Sequence, residues 1–181
     1  VACGDADGAV TGNTRRFGAS LDKIKQVVNP RPGEIMFGLN LVVYKVKTIF
    51  VADTSVHEYP SSEQMAEIAI STARVVRLFG FDPKVAFVSH STFWQPVTNR
   101  TKHIKKAVDI LKEKNVDFEF DGDMQPDVAL NKEYKNLYPF SNIVGSANIL
   151  IMPGQHSAAI SYKMMKELGD TKVIGPLLIG L

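Results

Sequence analysis

Two short stretches of this chain carry groups that could hold an anion. Residues 147–166 read ANILIMPGQHSAAISYKMMK. An apolar run, Ile149 to Met152, stops at Pro153-Gly154, turns through Gln155-His156-Ser157, and enters a helical pattern with Ala159, Ile160, Met164 and Met165. A helix N-terminus leaves backbone N–H groups unpaired and carries partial positive charge, so it favours phosphate or carboxylate groups. His156, Ser157 and Lys163 would add side-chain donors there. The second stretch is Ser89-His90-Ser91-Thr92, three hydroxyls and an imidazole directly after the apolar strand pattern VAFVS at 85–89. Ser89, Ser91 and Thr92 could bind a phosphate or diphosphate; the same hydroxyls equally serve as turn and cap donors.

Other groups offer weaker chemistry. Asp121, Asp123 and Asp127 lie within seven residues, which suits either a magnesium site or an ordinary Asp-Gly turn. Asp53 and His57 form a possible acid/base pair that the spacing alone does not bring together. Arg100, Lys102, Lys105 and Lys106 crowd the first turns of a helical pattern, where cations oppose the helix dipole; a nearby anion or simple solvation would relieve them. The chain has no P-loop, no GxGxxG after a strand, no HExxH, no paired CxxC and no GxSxG. Those absences disfavour a nucleotidase, a dinucleotide-binding domain, a zinc enzyme and an α/β-hydrolase.

The elements that must position these groups are legible in the pattern. Ser20 reads as the N-cap of a helix over SLDKIKQVV, closed by Pro30 and Pro32. IMFGLNLVVYKV and KTIFVAD are two β-rich runs close enough for an antiparallel hairpin over residues 35–53. Ser61 with Gln64 three residues later is a capping-box pattern opening a helix that runs to Gly80. A basic helix over about 100–114 turns Ile104, Ala107, Val108 and Leu111 inward. FEFDGDM supplies a strand and turn, PDVALNKEY a short helix, NILIM a strand and KVIGPLL the last strand. Strands alternating with helices from residue 60 onward predict an α/β domain: a mostly parallel twisted sheet with helices on both faces, plus the hairpin. Ligands in such sheets bind beyond the carboxyl ends of the strands, which selects the loops Ala52–His57, Ser89–Pro96, Asp121–Asp127 and Pro153–Ser157.

Composition bounds the answer. The chain has 181 residues, 45% hydrophobic and 22% charged, as in an ordinary globular domain. A net charge of +2 argues for neither nucleic acid nor an anionic membrane as partner. No apolar run reaches the length of a membrane span, and the single cysteine, Cys3, fits a reducing cytoplasm. A single domain is the economical reading. The opening Val1 and the apolar ending VIGPLLIGL suggest a segment with sequence missing on both sides.

Taken together, GDADGAVTGNT, FVADTSV, SSEQMAEIAISTARVVRLFGFDPKVAFVSHST, DFEFDGDMQPDVAL, GSANILIMPGQHSAAISYKM and VIGPLLIGL resemble, in order, the phosphate acetyl/butyryltransferase family. The resemblance covers nearly the whole chain. It implies an isocitrate-dehydrogenase-like α/β fold, dimers, and acyl transfer between coenzyme A and phosphate in a cleft between two lobes. This chain would be one lobe with part of the hinge region. Family members usually follow the Ser-Thr of the SHST position with a Gly/Ser/Lys-rich phosphate-binding loop; here Phe93-Trp94-Gln95-Pro96 follow. They usually carry an Asn-Thr-Gly-Asn-like turn where this chain has Gln155-His156-Ser157-Ala158. In both departures the chain is similar to the C-terminal transferase-like domain of bacterial NADP-dependent malic enzymes. That likeness implies a regulatory, oligomerising domain that binds acetyl-CoA through Ser89, Ser91, Thr92, His156, Ser157 and Lys163. It implies no catalytic residue, metal or cofactor in this segment, NADP and a divalent metal belonging to a separate malate-decarboxylating module. The alternative it leaves is an active phosphate acyltransferase.

Overall fold

In a computed structural model the chain is described at residues 1–12 and 14–181, with Lys135 described by its backbone alone. Asn13, inside the GDADGAVTGNT string, lies outside the described residues. The elements are α1 (Phe17–Val27), β1 (Phe37–Tyr44), β2 (Lys47–Ala52), α2 (Ser62–Leu78), β3 (Lys84–Val88), α3 (Asn99–Glu113), β4 (Glu119–Met124), α4 (Pro126–Leu130), α5 (Lys132–Lys135), β5 (Ile149–Ile151), α6 (Gln155–Leu168) and β6 (Thr171–Ile179).

One six-stranded sheet runs in the order β4-β3-β5-β2-β1-β6. β4, β3, β5 and β2 are parallel neighbours, whereas β1 runs antiparallel to both β2 and β6. The expected hairpin over 35–53 is β1–β2, closed at Lys45-Val46 with Lys45 at φ 52. Successive side chains of a strand face opposite sides of a sheet, so a buried sheet needs apolar residues at both parities. Here the parities sort into two cores. Leu39, Phe50, Ala52, Val85, Phe87, Ile149 and Ile151 meet α2 and α3 on one face. Val42, Val51, Ala86, Val88, Leu150 and Met152 meet α4 and α6 on the other. Helices therefore cover both faces.

The helix boundaries follow their end chemistry. Ser61 Oγ accepts from the Gln64 N–H at 3.1 Å while Gln64 Oε1 accepts from the Ser61 N–H at 2.7 Å, closing the capping box of α2. Gly80, at φ 81, ends that helix, with the Phe81 N–H returning to the Val76 carbonyl at 3.2 Å. α3 opens on a second box, Thr98 with Thr101, and buries Ile104, Ala107, Val108 and Leu111 as the periodicity predicts.

Three local expectations need correction. Ser20 is not a cap: α1 begins earlier, at Phe17 after Arg16, and the Ser20 N–H already donates to the Arg16 carbonyl at 3.2 Å. Asp121-Gly122-Asp123 is strand rather than turn, because β4 pairs with β3 as far as Met124. PDVALNKEY is not one helix. Asn131 turns extended between α4 and α5, and its side chain caps the second by accepting from the Glu133 N–H at 3.0 Å.

Gly122 shows why this strand tolerates the Asp-Gly pair. At φ 153 it lies flush against Phe87, and an added Cβ would sit 2.7 Å from the Phe87 Cβ and 2.8 Å from its carbonyl oxygen. Gly122→Ala is expected to cost about 1–3 kcal/mol through overpacking and backbone strain. Urea unfolding of the variant checks this; an unchanged midpoint contradicts the packing.

Candidate functional site

The four loops singled out by the sheet pattern all leave the carboxyl ends of adjacent parallel strands, in the order β4, β3, β5, β2. Hydrogen bonds join them into two pairs. The loop after β3 is tied to the end of β4. Ser91 Oγ donates to Asp123 Oδ2, the Trp94 N–H to Asp123 Oδ1 at 2.8 Å, and the Phe93 N–H to the Asp123 carbonyl at 2.7 Å. Gln125 completes this pair, its N–H donating to Thr92 Oγ1 at 3.2 Å and its Nε2 to the His90 carbonyl at 3.1 Å. The loop after β5 is tied instead to the loop after β2. Gln155 Nε2 donates to the Ser55 carbonyl at 3.2 Å, and His156 Nε2 lies 3.4 Å from Glu58 Oε1.

At the end of β2, Asp53 organises its surroundings. Oδ1 accepts from the N–H groups of Gly38, Ser55 and Val56 at 2.8, 2.8 and 3.1 Å. Oδ2 accepts from the His57 N–H and from His57 Nδ1, both at 2.7 Å. The pair that spacing alone left apart is thus in direct contact. Burial by itself pushes the Asp53 carboxyl up, but the His57 ring and the Ser55, Gly38 and His57 N–H groups outweigh it. The net position is below the ordinary value of 3.8.

Ser89, Ser91 and Thr92 stand together, with the Ser89 and Ser91 hydroxyl oxygens 3.1 Å apart. Ser91 is buried and its proton is directed at Asp123. Thr92 borders a cleft of about 400 Å³ shared with Gln95, Gln125, Asp127, Tyr134 and Tyr138. His156 and Ser157 stand together on the neighbouring loop pair. α6 starts at Gln155, so both lie in its first turn. Ser157 Oγ is turned back to the Gly154 carbonyl at 2.7 Å. Lys163 is exposed two turns further along the helix. The three aspartates of 121–127 are committed to backbone donors, Asp121 to Gly122 and Asn142, Asp123 to Trp94 and Asp127 to Val128. Among the described residues no group of three or more His, Cys, Asp or Glu is placed to hold a metal ion. None of the described helices is long and apolar enough to cross a membrane.

Two contributors, Glu58 and Tyr59, carry no signal that singles them out in the sequence, and a third, Asp123, stands out there only for another role. Asp123 stands in an acidic run that suits a magnesium site or a turn, and nothing in its spacing signals that Phe93 and Trp94, in the preceding β3 loop, fold onto it. Tyr59 has the Arg100 guanidinium 4.8 Å from its ring centre and the His156 ring at 6.3 Å. Glu58 precedes it. The crowding of cations on α3 was a usable signal for Arg100, since one way to settle a cation at a helix start is on an aromatic face.

The description "Phosphate acetyl/butaryl transferase" is that of the family model matching residues 1–181. The chain belongs to that family. Its fold agrees: a phosphotransacetylase from Streptococcus pyogenes superposes with a TM-score of 0.92 and 30% identity, over 99% of this chain and 56% of that one. The NADP-dependent malic enzyme of Rhizobium meliloti (strain 1021) is 46% identical over 181 residues, all of this chain but 24% of that protein. The phosphate acetyltransferase of Clostridium acetobutylicum is 33% identical over 98% of this chain and 56% of its own length. The chain thus spans about a quarter of the malic enzyme and just over half of the transferase.

Asp53→Asn keeps the size but removes one of two accepting oxygens, leaving buried donors unpaired at a cost of about 1–3 kcal/mol. Because the folded-state carboxyl is held below 3.8, the stabilisation is complete above that pH and lost as pH falls through the depressed value. The gap in urea midpoint between wild type and Asp53→Asn should therefore hold at neutral pH and close in acid. A gap that persists undiminished in strong acid contradicts this account.

Proposed function

We propose that the chain is a regulatory, oligomerising, phosphotransacetylase-like domain of an NADP-dependent malic enzyme, and that it binds acetyl-CoA without transferring the acyl group. The observation that carries this reading is the 46% identity running the full length of the chain against a malic enzyme of which it spans 24%. A separate module of the parent protein, holding NADP and a divalent metal, oxidatively decarboxylates malate to pyruvate. The protein works in the cytoplasm.

Acetyl-CoA lies along the carboxyl edge of the sheet in this reading, between the Ser89–Thr92 turn and the first turn of α6. Ser89 and Thr92 offer hydroxyls, Ser91 holds the wall between them, and His156, Ser157 and Lys163 face the anionic portion. The bulky Phe93-Trp94-Gln95-Pro96 sequence supports binding over turnover, since it sets side chains where close backbone approach to a reacting group would be needed. Binding at this site regulates a distant one only through unequal affinity for two quaternary states, so the oligomer interface carries the coupling. Oligomerisation is supported by the outer face of α6, where Ile160, Met164 and Leu168 recur at helical spacing and remain 60%, 54% and 82% exposed.

Calorimetry on the intact protein should show acetyl-CoA binding, malate decarboxylation should respond to that ligand, and no acetyl phosphate should form from acetyl-CoA and phosphate. Robust acetyl phosphate formation would replace this reading with the active transferase, which the 33% identity to a phosphate acetyltransferase favours. Absence of acetyl-CoA binding would leave an oligomerising scaffold alone. Met164→Lys should shift the assembly to smaller species in light scattering, and an unaltered mass would remove α6 from the interface.

A further inference from the structure

The geometry points to Asp123 as a specificity-determining residue, a built-in anion that fills the donor set of the β3 loop and closes it to inorganic phosphate. Phe93 and Trp94 both adopt positive φ, 47 and 69, a region that bulky residues enter only when their surroundings compel it. Consecutive residues in such turns aim their N–H groups into one concavity, an arrangement that suits an anion. Here the two N–H groups converge on one residue, Phe93 on the Asp123 carbonyl and Trp94 on Oδ1, while the Ser91 hydroxyl takes Oδ2. The carboxylate itself thus takes two donors, the Trp94 N–H and the Ser91 hydroxyl, and a phosphate entering the loop would have to be served by the same two.

The carboxylate cannot step aside cheaply. Asp123 is fully buried. Gly122 before it is pressed on Phe87, and Met124 after it accepts from the Ser89 N–H at 2.9 Å. The backbone on either side of Asp123 is therefore held against β3, with Gly122 opposite Phe87 and Met124 opposite Val88. A dianion arriving beside it would meet like charge in a poorly solvated place and find its donors already taken. The Ser89 hydroxyl is buried 3.1 Å from Ser91 Oγ and, with the Ser91 proton on Asp123, is the donor in that contact, so it too is withheld from an entering phosphate. Thr92 Oγ1 only accepts, from the Gln125 N–H at 3.2 Å, and keeps its own proton for a neutral ligand atom such as a thioester carbonyl. This inference rests on the reading of the chain as an acyl-CoA binder, and it identifies which half of the family's substrate pair the site retains.

The test measures inorganic phosphate and acetyl-CoA separately on the intact protein. Phosphate binding is read from phosphorus NMR line broadening in wild type, Asp123→Ser and Asp123→Asn; acetyl-CoA binding is read by calorimetry. Asp123→Ser removes the charge and releases the Trp94 N–H and the Ser91 hydroxyl, while the Phe93 N–H keeps its main-chain partner, and should bind phosphate about tenfold more tightly than wild type. Asp123→Asn, which keeps the bulk and one acceptor but not the charge, should show a smaller gain and serves if the serine variant does not fold. Equal phosphate affinity in wild type and a folded variant overturns the inference, as does wild-type phosphate binding that Ser91→Ala abolishes. Failure of acetyl-CoA to bind wild type instead removes the acyl-CoA reading, whatever phosphate does.

Discussion

Five hydrogen bonds to one buried carboxylate hold the functional edge of this molecule together. Asp53 sits where β2 ends, and its two oxygens gather β1 through Gly38 and the following loop through Ser55, Val56 and His57. A buried carboxylate is tolerable only when its lone pairs are answered, and here they are answered by the backbone that must be shaped. The loop so fixed then supplies the Ser55 carbonyl to Gln155 and the Glu58 carbonyl to the Gln155 N–H, which seats the start of α6. One side chain at a strand end thereby sets the position of a helix that follows it by a hundred residues.

Asp123 repeats the device three strands away, at the end of β4, with a different outcome. Asp53 orders a loop of small residues and leaves an imidazole 19% exposed at the rim. Asp123 orders a loop of aromatics and leaves no donor of its own set open. The two carboxylates divide the edge into a half shaped around a presented ring and a half that is internally satisfied. The family's fold is kept in both halves, while the polar groups offered to a ligand differ between them.

The sheet and its helices were legible because their signals are local or periodic. Ser61 and Gln64 announce a capping box at a spacing of three, and Ile104, Ala107, Val108 and Leu111 announce a buried face at helical spacing. The hairpin followed from two β-rich runs with little between them. What was not legible depends on contacts between distant segments. The Asp121-Gly122-Asp123 string has turn composition, and only pairing with β3 makes it a strand. Ser20 has the right residue type for a cap, but an earlier carbonyl captures its N–H. The apolar residues of α6 read as a helix from their spacing, yet of that helix only Ala158 is buried, because periodicity reports a face and not what covers it. At the candidate site, the grouping of Ser89, Ser91 and Thr92 was visible as a string, whereas Asp53 with His57 and Asp123 with Ser91 needed the chain folded.

α3 has a mechanical consequence for the loops it overhangs. Its first turns are fastened to the β2 side, where His103 Nε2 donates to the Pro60 carbonyl at 3.0 Å and Ser62 Oγ to the His103 carbonyl at 2.8 Å. The same turns are fastened to the β3 side through Thr101 Oγ1 and the Pro96 carbonyl at 3.4 Å, with Lys105 above Trp94. A helix of 15 residues is stiff along its axis, so it acts as a crossbar between the two loop pairs. Tilting the bar at either anchorage displaces the other. Tyr59 and Trp94, on different loop pairs, thus share one helix as a common support, Arg100 of that helix lying over the first ring and Lys105 over the second.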